Sequence, residues 1–111
     1  MSTELSIAVS QGLYDEIEFV ASEAWSKIEE KIEVTFKGGR VNLRGSPAML
    51  AEAIDCLATV AGLAADNGKP HAQAWKAQIA RLSSYVGQHA DTHDVVGRLN
   101  STRQYLDLGL L

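Results

Sequence analysis

Cysteine is nearly absent from this chain of 111 residues: Cys56 stands alone. No disulfide can close within one copy, and a reducing, cytoplasmic setting is the expectation. The opening MSTELSIAVSQG has no basic stretch ahead of an apolar one, so it does not read as a secretory signal. Proline is nearly as scarce, at Pro47 and Pro70, which leaves long stretches free to be helical. The longest apolar run is interrupted by Glu52, Asp55 and Asp66, so no uninterrupted segment of the roughly 20 residues needed to span a bilayer is expected. Basic residues are outnumbered, 10 to 14, for a net charge of −4. Broad, direct binding to a nucleic-acid backbone is therefore not expected.

Charge is unevenly placed. Residues 1 to 36 carry eight acids against Lys27 and Lys31, a balance of −6, while the remainder is +2. An acidic front and a mildly basic back suit oriented association with another protein or with a second copy. Hydrophobic content of 46% and charged content of 22% are ordinary for a globular chain, and 111 residues suit one domain, with residues 1–9 expected to be a flexible tail.

What is present organises around Pro47 to Asp66, where alanine and larger apolar residues fill nearly every position. Ser46 is suited to cap a helix, Pro47 to open it, and Asn67-Gly68 followed by Pro70 to stop it. Glu52, Asp55, Thr59, Gly62 and Asp66 make one narrow polar stripe, so this helix requires cover on most sides. Ahead of it, Gln11 to Glu30 has helical periodicity, with Leu13, Tyr14, Ile17, Val20, Ala21, Ala24, Trp25 and Ile28 on one broad stripe and Ser10 as its cap. Period two then takes over. Ile32, Val34 and Phe36 alternate with Glu33, Thr35 and Lys37, Gly38-Gly39 supplies a two-residue turn, and Arg40 to Arg44 returns. With Lys37 opposite Arg40, Phe36 meets Val41, Val34 meets Leu43 and Glu33 meets Arg44, leaving one apolar face. A third helix runs from Pro70 to Gln88, and a fourth, capped by Asp91, carries Val95, Val96, Leu99 and Leu106. The apolar ending from Tyr105 to Leu111 is expected to dock on its own core. The predicted fold is α+β in the order αββααα, a hairpin laid on a mainly helical core. Dimerisation is expected, through the central helix, the hairpin edge or the apolar end.

No catalytic set emerges, and no enzymatic activity, cofactor or metal is expected. His89 and His93 are four apart but flank a segment, Ala90-Asp91-Thr92, that reads as a helix junction, and no third ligand is fixed. Cys56 lies in the most apolar helix, where a thiol behaves as a small hydrophobe. Gly38-Gly39 joins two strands and does not lead into a helix, so it is no phosphate loop. Two surfaces remain. Phe19 falls off the apolar stripe among Asp15, Glu16, Glu23 and Glu30, which is either a tolerated surface phenylalanine or an anchor within an acidic interface. Lys37, Arg40 and Arg44 project with Asn42 from the outer hairpin face, either as a solvated strand face or as a contact for a small anionic ligand such as a nucleotide. The functional expectation is a non-enzymatic protein-binding module, an inhibitor or accessory protein of the kind mobile elements encode. Its alternatives are an oligomeric binder of an anionic ligand and a nucleic-acid mimic.

Overall fold

A computed structural model describes residues 4–111. Its element order is β1 (Leu5–Ser10), α1 (Gln11–Asp15), α2 (Ile17–Val20), α3 (Ser22–Glu29), β2 (Glu33–Lys37), β3 (Arg40–Gly45), α4 (Pro47–Asp66), α5 (Ala72–Gln88) and α6 (His93–Tyr105). The α+β class holds, and the order changes in two places.

The first change is at the start of the chain. Most of the expected tail is a strand: Leu5, Ile7 and Val9 are buried and alternate with more exposed Ser6, Ala8 and Ser10, the pattern of a strand with one face on a core. Residues 1–3 of that tail lie outside the described residues. β1 pairs antiparallel with β3, from Leu5 opposite Gly45 to Ser10 opposite Arg40. β3 thus becomes the centre of a three-stranded sheet ordered β1-β3-β2. The partner that β1 requires is the edge of β3 that the hairpin alone would leave open. Between β2 and β3 the register is the one that the alternation predicts, Glu33 opposite Arg44 through Lys37 opposite Arg40. Positive φ at Gly38 (56°) and Gly39 (78°) gives the primed turn that matches strand twist.

The second change lies between residues 11 and 30, where one long helix is replaced by three short ones. The chain leaves helical geometry at Ala21, with φ −141° and ψ 40°. Tyr14 and Trp25 show why the break matters. Eleven residues along a straight helix separate two positions by about 16 Å, yet the two rings meet edge to face at a centroid separation of 5.5 Å. Folding back at Ala21 lets Leu13, Tyr14, Ile17, Trp25 and Ile28 all enter the core, which outweighs the few helical hydrogen bonds given up.

α4 is the hub. Ser46 Oγ accepts from the Met49 N–H, Pro47 opens the helix and Asp66 closes it, as the end signals predict. It packs against α5, α6, the three short helices and β3. α4 is long and apolar enough to cross a membrane, but most of its circumference, including Leu50, Ile54, Leu57 and Val60, is covered by these neighbours. Gly62, in the expected polar stripe, is buried beneath the Tyr105 ring. Asp55 accepts a hydrogen bond from Thr102 Oγ1 at 3.3 Å, tying the stripe to α6.

α5 begins at Ala72, two residues after the predicted start, and buries Ala72, Ile79, Ser83 and Val86. The cap of α6 is Thr92, whose Oγ1 accepts from the Val95 N–H at 3.3 Å, one residue beyond the expected Asp91. Beyond α6, Leu106 is buried and the end of the chain folds back on α5 and α6. There the Arg103 guanidinium donates to the Leu108 and Gly109 carbonyls, and the Leu111 N–H donates to Asn100 Oδ1.

Candidate functional site

Two surfaces singled out by composition are assembled differently by the fold. Phe19 sits on α2, just before the break at Ala21, and is 83% exposed. Among the described residues β1 does not cover it, since that strand lies on the side of β3 away from β2. Phe36 is predicted for the buried hairpin face, yet it is 59% exposed. It occupies the edge strand β2, which among the described residues has no strand beyond it to cover that ring, and it meets Tyr14 edge to face at 5.5 Å. Tyr14 therefore stands between Trp25 in the core and Phe36 at the surface.

These rings belong to one groove of about 460 Å³ between the short helices and β2. Tyr14, Val34, Phe19 and Phe36 supply its apolar lining, and Asp15, Glu18 and Glu29 supply its carboxylates. Burial pushes the Tyr14 hydroxyl above its ordinary range. The Trp25 indole acts in the opposite direction, and Glu29, Glu18 and Asp15 reinforce the rise. All three carboxylates thus project their field onto the same ring.

The α1–α2 junction at Glu16 and the break at Ala21 together redistribute the acids expected around Phe19. Asp15 remains in the groove. Glu16 turns away, lining a separate cleft with Val20, Leu63 and Trp75, while Glu23 and Glu30 are exposed outside both. Glu18 and Glu29 take their places. Helical phase alone could not find Glu29, because it assumes a straight axis through Ala21; Glu18 precedes the break, and its one available signal was adjacency to Phe19.

On the outer face of the sheet, Lys37, Arg40, Asn42, Arg44 and Thr35 are together as the register requires, and β1 adds Ser6, Ala8 and Ser10 beside them. β1 also brings an acid. Arg44 Nε lies 3.4 Å from Glu4 Oε1, and Glu33 stands opposite Arg44 across the hairpin. A shallow cleft there is lined by Ser6, Glu33, Thr35, Asn42 and Arg44. The basic character of this face is consequently concentrated at the turn end, in Lys37 and Arg40.

His89 caps the end of α5, with Nδ1 3.0 Å from the Tyr85 carbonyl, whereas His93 opens α6. The four-residue spacing therefore spans two helices and does not follow a single helix face. Among the described residues, no three His, Cys, Asp or Glu side chains gather in a metal-binding group. Cys56 is buried, and desolvation pushes its thiol up to about 11, with Asp55 and Glu52 adding to the rise. Compared with protein-family models, curated proteins and solved structures, the chain finds no match.

Proposed function

We propose that this protein is a non-enzymatic binding module that recognises a basic partner protein through the groove between its short helices and β2. The observation that carries this reading is the joint exposure of Phe19 and Phe36 in a groove whose charged members are the carboxylates Asp15, Glu18 and Glu29. Two exposed aromatic rings supply contact area that becomes favourable once water is excluded, and buried aromatics rimmed by polar groups dominate many interfaces. Carboxylates beside the rings favour lysine or arginine, which can also lie on an aromatic face. Such a protein acts by occupying its partner, as an inhibitor or accessory factor does.

Affinity capture from host extract tests the reading with matched variants. Phe19→Ala and Glu18→Lys are expected to lose the partners recovered by the parent chain, whereas Glu23→Lys, outside the groove, retains them. Circular dichroism establishes that every variant is folded. Equal recovery by all variants, or equal loss with Glu23→Lys, removes the groove from consideration. Nucleic-acid mimicry is a narrower form of the same reading, and it adds competition between this chain and a nucleic acid for the captured protein.

An anionic ligand on the outer sheet face is the second reading, supported by the adjacency of Arg40 and Lys37 at the turn. It ranks lower because Glu4 and Glu33 flank Arg44. Thermal-shift measurements with nucleotides, on the parent chain and Arg40→Ala, separate it from the first.

A further inference from the structure

The sheet has two outer edges, and they are not equivalent. β1 is partly closed: the Ser10 N–H donates to Gln78 Oε1 at 3.1 Å, while Gln78 Nε2 donates to Ser10 Oγ at 2.9 Å. β2 forms the opposite edge. Its hydrogen-bonding phase follows from the turn. The tight Lys37-to-Arg40 turn makes those two residues a hydrogen-bonded pair, so in an antiparallel ladder Thr35 and Glu33 also bond to β3. The backbone groups of Val34 and Phe36 then point away from β3. Among the described residues, no backbone hydrogen bond from outside the sheet reaches them.

We propose that a second copy of this chain occupies this edge, with β2 pairing antiparallel to its own counterpart about a twofold axis at Thr35. The sequence Glu33-Val34-Thr35-Phe36-Lys37 is self-complementary in that register. Glu33 of each copy faces Lys37 of the other, Val34 faces Phe36, and Thr35 faces Thr35. The outward N–H and C=O groups of Val34 and Phe36 form the two hydrogen-bonded pairs, and Thr35 falls at the non-bonded position between them. Hydrogen-bonding phase, charge and apolar side chains therefore agree on one alignment. A slip by one residue in either direction would set an apolar residue against a charged one, Val34 against Lys37 or Phe36 against Glu33. The assembly is a continuous six-stranded sheet whose interface is isologous, as a closed dimer requires. Phe36, 59% exposed in the single copy, gains Val34 of the second copy as cover. This inference rests on the backbone edge of β2 and not on the groove reading above, although Val34 and Phe36 belong to both surfaces and the dimer covers that part of the groove.

Light scattering and sedimentation over a range of concentrations test for the dimer, and two sets of variants test the register. Opposed residues at a non-bonded pair lie about 4.5 Å apart between Cα atoms, within disulfide range. Thr35→Cys is therefore expected to give an intermolecular disulfide on mild oxidation, while buried Cys56 does not take part. Glu33→Lys alone sets a lysine against Lys37 of the other copy, and Lys37→Glu alone sets a glutamate against Glu33. Each turns two attractive cross-strand pairs into repulsive ones and weakens dimerisation about tenfold or more. Mixed together, the two variants place opposite charges at both positions and are expected to associate as a heterodimer. A chain that stays monomeric at every concentration, a Thr35→Cys variant that never cross-links, or a mixture no better than either variant alone overturns the proposal.

Discussion

Replacing Arg103 with methionine removes a guanidinium that joins three parts of the chain while keeping an unbranched stem and a similar helix propensity. Nη1 donates to the Ala80 carbonyl at 3.0 Å, Ser83 Oγ at 2.6 Å and Ser84 Oγ at 3.3 Å. Nε reaches the Gly109 carbonyl at 2.8 Å and Nη2 the Leu108 carbonyl at 3.3 Å. A hydrogen bond to a charged donor contributes about 1.5–3 kcal/mol, but five full values cannot be added. Nη1 divides itself among three acceptors, and the Leu108 and Gly109 carbonyls regain water when released. What is lost outright is the donor to Ser83 Oγ, which is fully buried, together with the tie that holds the last turn of chain. We expect a cost of about 2–3 kcal/mol, dominated by that buried acceptor. For a chain of this length, that lowers Tm by roughly 10 °C.

Arg98→Met is the matched control: it lies on the same helix and changes net charge identically, but its partner Glu52 is 3.6 Å away and both groups are substantially exposed. An exposed pair of this kind contributes about 0–1 kcal/mol. Thermal and urea denaturation of the two variants should therefore differ several-fold in effect. Hydrogen exchange should show faster turnover at the Leu108 and Leu111 amides in Arg103→Met alone. Equal Tm values for the two variants would refute the reasoning, since charge and helix propensity would then account for both.

Cys56 in the native protein should resist thiol reagents at pH 8 and react promptly in denaturant, because burial raises the thiol to about 11. A folded value above the unfolded one of about 9 means that the associated stability is complete below pH 9 and is lost as pH rises through 11. Tyr14 is shifted in the same direction, so urea denaturation of Cys56→Ala should show a shallower alkaline loss than the parent, with a remainder due to Tyr14. Gly45→Ala places a Cβ 2.8 Å from Ile32 Cγ2 and should cost about 1–3 kcal/mol by overpacking. Adding Ile32→Ala should recover part of that loss in the same denaturation assay.

The hairpin and α4 were legible because independent local signals agreed. Alternation, the Gly38-Gly39 turn and a single apolar face permit one hairpin register, and Ser46-Pro47 with Asn67-Gly68 marks both ends of α4. β1 carries the right alternation in Leu5, Ile7 and Val9, but six residues do not name a partner, and only the assembled edge of β3 does. The break at Ala21 was not legible, because it contains neither proline nor glycine; the packing of Tyr14 against Trp25 imposes it. The candidate site inherits both outcomes. Phe19 declared itself as an aromatic residue off the apolar stripe, whereas its neighbours Glu29 and Phe36 depend on how the chain folds back and on which strand ends at the edge.

The strand order β1-β3-β2 has a kinetic consequence. β2 and β3 are separated by two residues and can zip together as a local event on the microsecond scale. β1 must instead close a loop to residues 40–45, and its ladder has nothing to bind until the hairpin exists. The slow step in forming the sheet is therefore the docking of its first strand, and its rate should respond to substitutions at Ile7 and Val9 far more than hairpin formation does.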